Sequence, residues 1–309
     1  MTTDAQAVPS PGAISRLRIA VRGVLVRRAD LRGYVLLSPT LLVLVGAMCL
    51  PVGLLVVYSF WTQNYLEIDK TLTIVNYVTI FEKKIYWFIL GKSILISLAV
   101  TTATVLLAYP IAYFVAFRVT SHKIIWLVLI TVPFWTSYLL RVFSWKVILG
   151  YNGVINSALK WIGLIDQPLE FLLYNPTAVV ITLAHAWAPV AILPIFVSLE
   201  KIDRSLLEAA TDLGDGPVAR FVRVTLPLSI PGVIAGAMLV FIPTVGDYIT
   251  PQLVGGPDGV MVGNLMHTLF YRANNWPLGS TLAIVSALAI TVTSLMIWFL
   301  TKHARERAL

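Results

Sequence analysis

Charged side chains are scarce in this chain. Of its 309 residues, 12% are charged and 58% are hydrophobic, whereas a water-soluble domain has about 25% charged residues. This composition excludes a soluble globular protein and predicts one multi-spanning membrane unit. Cysteine is scarcer still: the single Cys49 lies in an apolar run, so an intramolecular disulfide is impossible.

Motifs for catalysis and metal binding are also missing. The sequence has no His-Glu-x-x-His, no Cys/His cluster with zinc spacing and no conspicuous Ser/His/Asp arrangement. Gly91-Lys92-Ser93 is similar to the end of a phosphate-binding loop, but Tyr86 stands where the first glycine is required. We therefore expect no catalytic residue, no metal site and no cofactor bound by this chain.

Long apolar runs dominate what remains. Six of them approach or exceed the roughly 20 residues that a membrane-spanning helix needs: 33–66, 93–117, 124–140 with an extension to 150, 171–199, 224–246 and 273–301. They predict an all-α integral membrane protein with six transmembrane helices over residues 34–301. The polar connections at 61–87, 151–175 and 254–278 are expected to be outer loops, the second with a short amphipathic helix and the third rich in glycine.

The basic residues predict the orientation of these spans. Fifteen of the 23 Lys and Arg residues lie in an N-terminal tail (1–33), a short loop after the second span, a polar island after the fourth and a C-terminal tail (302–309). Basic flanks face the cytoplasm, so both termini and the island are expected there. Because this topology explains the net charge of +8, no nucleic-acid partner is invoked, although the tails can touch anionic lipid.

The polar island carries start and stop signals for two short helices. Ser205 and Glu208 have the spacing of a capping box, which predicts a helix that begins at Ser205. Gly214 is expected to end it. Pro217 is in the preferred position to open a second helix, and Leu226-Pro227 is expected to end that helix before the fifth span.

The spacing within the island resembles a known signature. Glu208-Ala209-Ala210 is followed after three residues by Gly214, and after nine more by Val224, Thr225, Leu226 and Pro227. This pattern resembles the loop of the membrane subunits of binding-protein-dependent ABC importers, with Val224 where isoleucine is usual. The resemblance implies a type I ABC importer permease fold in which residues 200–229 form a coupling loop. It implies that this loop docks into a separate ATPase, with Glu208, Ala209 and Ala210 in the contact and Gly214 at the bend.

Further segments are similar to the spermidine/putrescine permease subfamily: 133–141, 152–156, 163–168, 241–247, 255–258 and 275–277. The resemblance implies a multi-pass protein of the bacterial inner membrane that transports a polyamine and is not itself an enzyme. It also implies a second related permease, two copies of a cytoplasmic ABC ATPase that uses ATP, and an extracytoplasmic substrate-binding protein.

A pathway for polyamines needs carboxylates for charge and aromatic faces for cation–π contact. Asp247 is the best carboxylate, since it is expected near the outer end of the fifth span. An ion pair of Asp247 with Arg141 or Lys146 is an equally weighted alternative. The candidate aromatic walls have the membrane-interface belt as their alternative; they are Trp135, Tyr138, Trp145 and Tyr248.

Two further features, a glycine pair and a histidine, have structural explanations that we favour. Gly232 and Gly236 form a GxxxG pattern that can bring helices close, but small residues are common in any spanning helix. His185 falls near the middle of the fourth span, where a packed, neutral histidine bonded to a neighbour is favoured over a proton relay.

Other functions remain open as alternatives. The same frame serves ABC importers for other small solutes, such as amino-acid-like compounds or quaternary amines. An ion-coupled secondary transporter would show paired broken helices and mid-membrane acids, and such acids are absent. A membrane-embedded enzyme would need clustered acids, and the one cluster, Glu208, Asp212 and Asp215, matches the permease loop instead.

Overall fold

The first helix is apolar on all sides. The computed structural model describes residues 29–65 and 67–308, so most of the predicted N-terminal tail lies outside the described residues. Helix α1 spans Ala29–Ser59, and its apolar stretch Leu37–Ser59 exposes large side chains around its circumference, as suits a helix among lipid chains. One compact unit ends at Val57 and a second, described below, begins at Tyr58.

Four more helices of the second unit are long enough to cross a bilayer. They are α3 (Lys84–Tyr113, prolonged by a π-helical turn, Phe114–Arg118), α7 (Pro176–Glu200), α10 (Leu226–Val245) and α12 (Trp276–Ala308). Local signals set their ends: Asn175 caps α7 by accepting a hydrogen bond from the Ala178 amide, with Pro176 at the first position. Helix α12 continues through most of the predicted C-terminal tail.

The predicted third span is bent instead of straight. Helix α4 (Lys123–Thr131) runs into a 3₁₀ turn, Val132–Trp135, and α5 (Tyr138–Leu149) and α6 (Val154–Trp161) follow after a break. The two halves, Lys123–Trp135 and Tyr138–Trp161, meet at 84°. With this pair counted as one span, the described chain has six. Helix α6 is the predicted short amphipathic helix.

Helices α3, α7 and α10 pack into the centre of the unit. Their buried side chains form one apolar cluster that includes Val100, Leu183, Ile195 and Val240. A Cβ added at Gly232 would overlap the Pro194 carbonyl oxygen and Ser198. The GxxxG pattern therefore does bring α10 against α7, and the interpretation that it was incidental is wrong, because no larger residue fits this crossing.

We call the end of the unit that carries residues 200–229 the loop end, and the opposite end the far end. A short hairpin lies at the far end, β1 (Thr62–Asn64) paired antiparallel with β2 (Glu67–Asp69), followed by α2 (Val75–Glu82). The glycine-rich segment is no open loop, since it contains α11 (Val262–His267) between two π-helical turns, Pro251–Gly255 and Thr268–Arg272. Its Val262 packs with Phe241 and Leu282 in a second apolar cluster, and that burial holds the segment in place.

Candidate functional site

The first arm of the loop is α8, Arg204–Asp212. Its N-cap is Asp203, whose side chain accepts a hydrogen bond of 3.0 Å from the Ser205 amide. The predicted cap at Ser205 is thus wrong by two positions, because the Asp203 carboxylate takes the free amide at the helix start. The same backbone hydrogen bond lowers the pKa of Asp203.

The corner of the loop is at Gly214, as predicted. Its φ of +91° is in the left-handed region that glycine adopts without strain. The Gly214 amide donates to the Thr211 carbonyl at 2.9 Å, and the Asp215 amide donates to the Ala210 carbonyl at 3.0 Å. These two bonds form a Schellman motif, which satisfies the last carbonyls of α8.

The second arm does not end where the sequence predicts. Helix α9 (Pro217–Arg220) begins behind Gly216 with proline at its first position, and a π-helical turn, Phe221–Thr225, leads directly into α10. Pro227 is buried in the first turn of α10 and does not end a helix. The Leu226 amide reaches back to the Phe221 carbonyl, and this wider turn accommodates a proline that would break an ordinary helix.

Polar contacts join the two arms. Arg223 forms an ion pair of 2.7 Å with Asp215, and Arg220 donates to the Thr211 hydroxyl at 2.8 Å. These residues are eight and nine positions apart in the sequence. The loop is therefore cross-braced and can move as one piece.

An aromatic contact joins the loop to the spans. The Phe221 ring packs edge-on against Tyr109 and Tyr113 of α3, with centroids 5.7 and 6.0 Å apart. The Tyr109 hydroxyl lies 2.8 Å from the Ser229 hydroxyl in α10. A displacement of the loop would thus be passed to α3 and α10 together.

The loop presents a partly apolar surface. Glu208 and Ala209 are exposed, whereas Ala210 is buried within this chain. Exposed apolar side chains surround the accessible pair: Leu206, Leu213, Val218 and Val222. A carboxylate among exposed apolar groups is suited to contact with another protein.

A polar cluster lies at the far end of α10. Tyr138 donates a hydrogen bond of 2.6 Å to Asp247 Oδ2, and its hydroxyl is also 2.6 Å from the Thr250 hydroxyl. Asp247 Oδ1 accepts from the Ile249 amide at 3.0 Å. The alternative of an ion pair to Arg141 or Lys146 is wrong, since the described residues form neither pair and Tyr138 takes that place.

Arg141 is bound to backbone carbonyls instead. Its guanidinium donates to Ala186 of α7 at 3.0 Å and to Phe134 and Thr136 at 3.1 and 3.2 Å. The last two carbonyls lie at the break between α4 and α5, where helical bonding is interrupted. Arg141 therefore holds the bend together and ties it to α7.

Tyr138, Arg141 and Trp145 share one face of α5, at spacings of three and four residues. Trp145 donates to His185 Nδ1 at 3.1 Å. His185 thus has a hydrogen-bonded neighbour as predicted, and its ring packs edge-on against the Trp145 ring with centroids 5.3 Å apart, although the residue is exposed and not buried.

Two of the predicted aromatic residues, Trp135 and Tyr248, do not join the cluster around Asp247. Trp135 is 84% exposed and lies before the break, apart from the cluster. Tyr248 stacks on His267 with centroids 4.7 Å apart, and His267 stacks on Tyr271 at 4.8 Å. His267, Tyr271 and Thr250 were not among the predicted site residues. The i, i+4 spacing of His267 and Tyr271 was a usable signal inside a segment interpreted as a loop.

Residues 32–305 match the family of binding-protein-dependent transport system inner membrane components. The chain belongs to this family. It is 34% identical over 250 residues to the spermidine/putrescine transport system permease protein PotB of Escherichia coli K12, covering 81% of this chain and 90% of PotB. PotB of Haemophilus influenzae is 37% identical over 213 residues, or 69% of this chain and 74% of that protein.

Solved structures support the same fold. A bacterial ABC transporter involved in the import of the acidic polysaccharide alginate matches 93% of this chain and 99% of its own, with a TM-score of 0.66 at 18% identity. The predicted type I ABC importer permease fold is confirmed. The chain is thus a multi-pass permease subunit of an ABC importer in the inner membrane, a transport subunit and not an enzyme.

Proposed function

We propose that this chain carries a polyamine, putrescine or spermidine, across the inner membrane, with energy from ATP hydrolysed by a separate subunit. The observation that carries this proposal is the 34% identity to PotB over 90% of the length of PotB. An extracytoplasmic binding protein delivers the cation, and a second related permease completes the pathway. Solved relatives include an alginate transporter in complex with its periplasmic protein.

The cluster around Asp247 supports a cationic substrate. Asp247 is partly exposed, and Tyr138 orients one of its carboxylate oxygens. Because Tyr138 is a neutral donor, it does not supply a positive charge to the carboxylate, and an ammonium group of the solute can do so. Tyr138 and Trp145 on the same face of α5 supply aromatic surface for cation–π contact.

The loop supports coupling to two copies of a cytoplasmic ATPase. Glu208 and Ala209 form the accessible contact, and the corner at Gly214 sets the angle between the arms. Because the arms are cross-braced and Phe221 packs on α3, closure of the ATPases moves the spans with the loop. Both termini and the loop face the cytoplasm in this proposal, in accord with their basic residues.

Uptake of labelled putrescine tests the proposal. Cells expressing the whole transporter are compared with cells that lack only this chain, and unlabelled spermidine is added as competitor. We expect uptake that requires the chain and is blocked by spermidine. No chain-dependent uptake by an assembled complex would overturn the polyamine assignment.

An importer for another small solute is the second candidate. The inner membrane ABC transporter permease protein YdcU of E. coli is 32% identical over 241 residues, or 74% of this chain, and its name specifies no solute. Screening labelled amino acids and quaternary amines in the same cells distinguishes the two candidates. Chain-dependent uptake of one of these, without competition by spermidine, favours the second.

A further inference from the structure

A pocket of about 310 Å³ lies where the loop folds back onto the ends of two spans. Tyr113 and Arg118 line it from the end of α3 and the π-helical turn that follows. Arg204 and Glu208 line it from α8, and Arg220 from the start of the second arm. The pocket therefore lies where the loop meets the spans, and it shares Glu208 with the surface proposed to contact the ATPase.

The charges around this pocket are unbalanced. Three arginines face one carboxylate, Glu208. Within the part of the chain that the structure describes, Arg118 and Arg204 form no ion pair. Nearby cations do have carboxylate partners: Lys123 with Glu200 at 2.8 Å and Arg223 with Asp215 at 2.7 Å. The pocket thus gathers positive charge that an anion would balance.

The position of the pocket and the shape of its donors indicate which anion. By length and composition, one candidate span, Lys84–Arg118, ends here and another, Pro217–Val245, begins here, so the pocket is expected at the level of lipid headgroups. Guanidinium groups bind phosphate through paired, charge-assisted hydrogen bonds. Basic pockets between spans bind acidic lipid headgroups. We propose that this pocket binds the phosphate of an anionic phospholipid.

A bound phosphate would add a polar connection between two parts that already meet through the Phe221 ring. Arg118 belongs to the span and Arg204 to the loop helix, so one anion between them ties the loop to the end of α3. Anionic lipid would then stiffen the connection through which the loop moves the spans. This inference does not depend on which solute is transported.

Lipid binding to the assembled transporter tests the inference. The purified complex in detergent is titrated with phosphatidylglycerol, and native mass spectrometry gives the apparent Kd of the first lipid. Arg118→Gln should weaken it about fivefold and Arg118→Gln with Arg204→Gln about 25-fold, since each arginine near a membrane surface contributes about that factor. Lys201→Gln, an exposed cation of the same loop outside this pocket, should leave it unchanged.

The pattern of lipid binding among these variants decides whether the pocket holds the phosphate. Equal weakening by Lys201→Gln and the pocket variants would mean diffuse attraction and would overturn the proposal, as would unchanged binding in all variants. Millimolar inorganic phosphate is then added as a competitor. If phosphatidylglycerol stays bound, the ligand is a lipid; if it is fully displaced, the pocket is assigned to free phosphate instead. Arg118→Lys keeps the positive charge but loses the paired N–H donors of the guanidinium, so this variant should bind the lipid with intermediate affinity. Size-exclusion chromatography confirms that each variant assembles.

Discussion

The loop end and the far end of this permease are built in different ways. The polar contacts within the loop join residues no more than nine positions apart, such as Asp203 with Ser205, Gly214 with Thr211 and Arg220 with Thr211. The far-end cluster joins Tyr138 to Asp247, which is 109 residues away. The part proposed to meet the ATPase is therefore encoded locally, and the part proposed to meet the solute depends on the packing of several helices.

This difference has a mechanical consequence. A locally braced loop keeps its shape while it moves, so it can transmit a displacement. A cluster made of residues from different helices changes its geometry whenever those helices shift. A movement of the loop that shifts these helices therefore changes the hydrogen bond between Tyr138 and Asp247, in the cluster proposed to meet the solute.

The largest effect is expected at the loop surface. Glu208→Arg replaces a carboxylate with a cation in the proposed ATPase contact. A cation that meets a positive group of the partner, or none of opposite sign, costs several kcal/mol at an interface. We expect ATPase binding to fall about 100-fold or more and transport to reach background, with normal membrane insertion. Asp212→Arg, the same charge change one turn further along α8, is the control. Normal transport by Glu208→Arg would refute the assigned role.

Substitutions in the far-end cluster should change the KM for the solute. Asp247→Asn removes the carboxylate and should raise the KM for putrescine about tenfold or more, given about 1.5–3 kcal/mol for hydrogen bonds to charged groups. Tyr138→Phe only releases that carboxylate, so about a fivefold rise is expected. Tyr271→Phe, which removes an exposed hydroxyl at the same end, is the matched control. A KM that does not change in Asp247→Asn would remove this residue from the pathway.

The bend in the third span should be sensitive to Arg141. Arg141→Gln leaves carbonyls of Phe134, Thr136 and Ala186 without their donor, at a cost of about 1–3 kcal/mol. We expect a lower thermal unfolding temperature of the assembled complex and a weaker effect in Arg141→Lys, which keeps one donor group. If Arg141 instead contacted the solute, KM would change while the unfolding temperature stayed constant.

The smallest effect is expected at the helix cap. Asp203→Ala should increase hydrogen exchange in the first turn of α8, and Asp203→Asn, which can still accept from the Ser205 amide, should not. Because that hydrogen bond lowers the pKa of Asp203 from 3.8, the ionised cap is complete at neutral pH and is lost only as the pH falls through the lowered value. Loss of the cap between pH 8 and pH 5 would contradict this assignment.

Sequence reasoning succeeded where structure is local. The corner at Gly214, the proline start at Pro217 and the short helix Val154–Trp161 all follow from residues within one or two turns. It failed by two positions at Ser205, because Asp203 competed for the same amide. It failed at Pro227 because a π-helical turn relieved the strain that normally ends a helix.

The sequence by itself determined the membrane class, the number of apolar spans and the position of the loop, since composition, run length and short-range spacing are properties of the chain alone. Only the tertiary structure decided that Asp247 pairs with Tyr138, that Arg141 binds carbonyls at the bend and that Gly232 touches α7. Those partners lie on separate helices, and which side chains meet is set by how the helices cross, which no short window of sequence records.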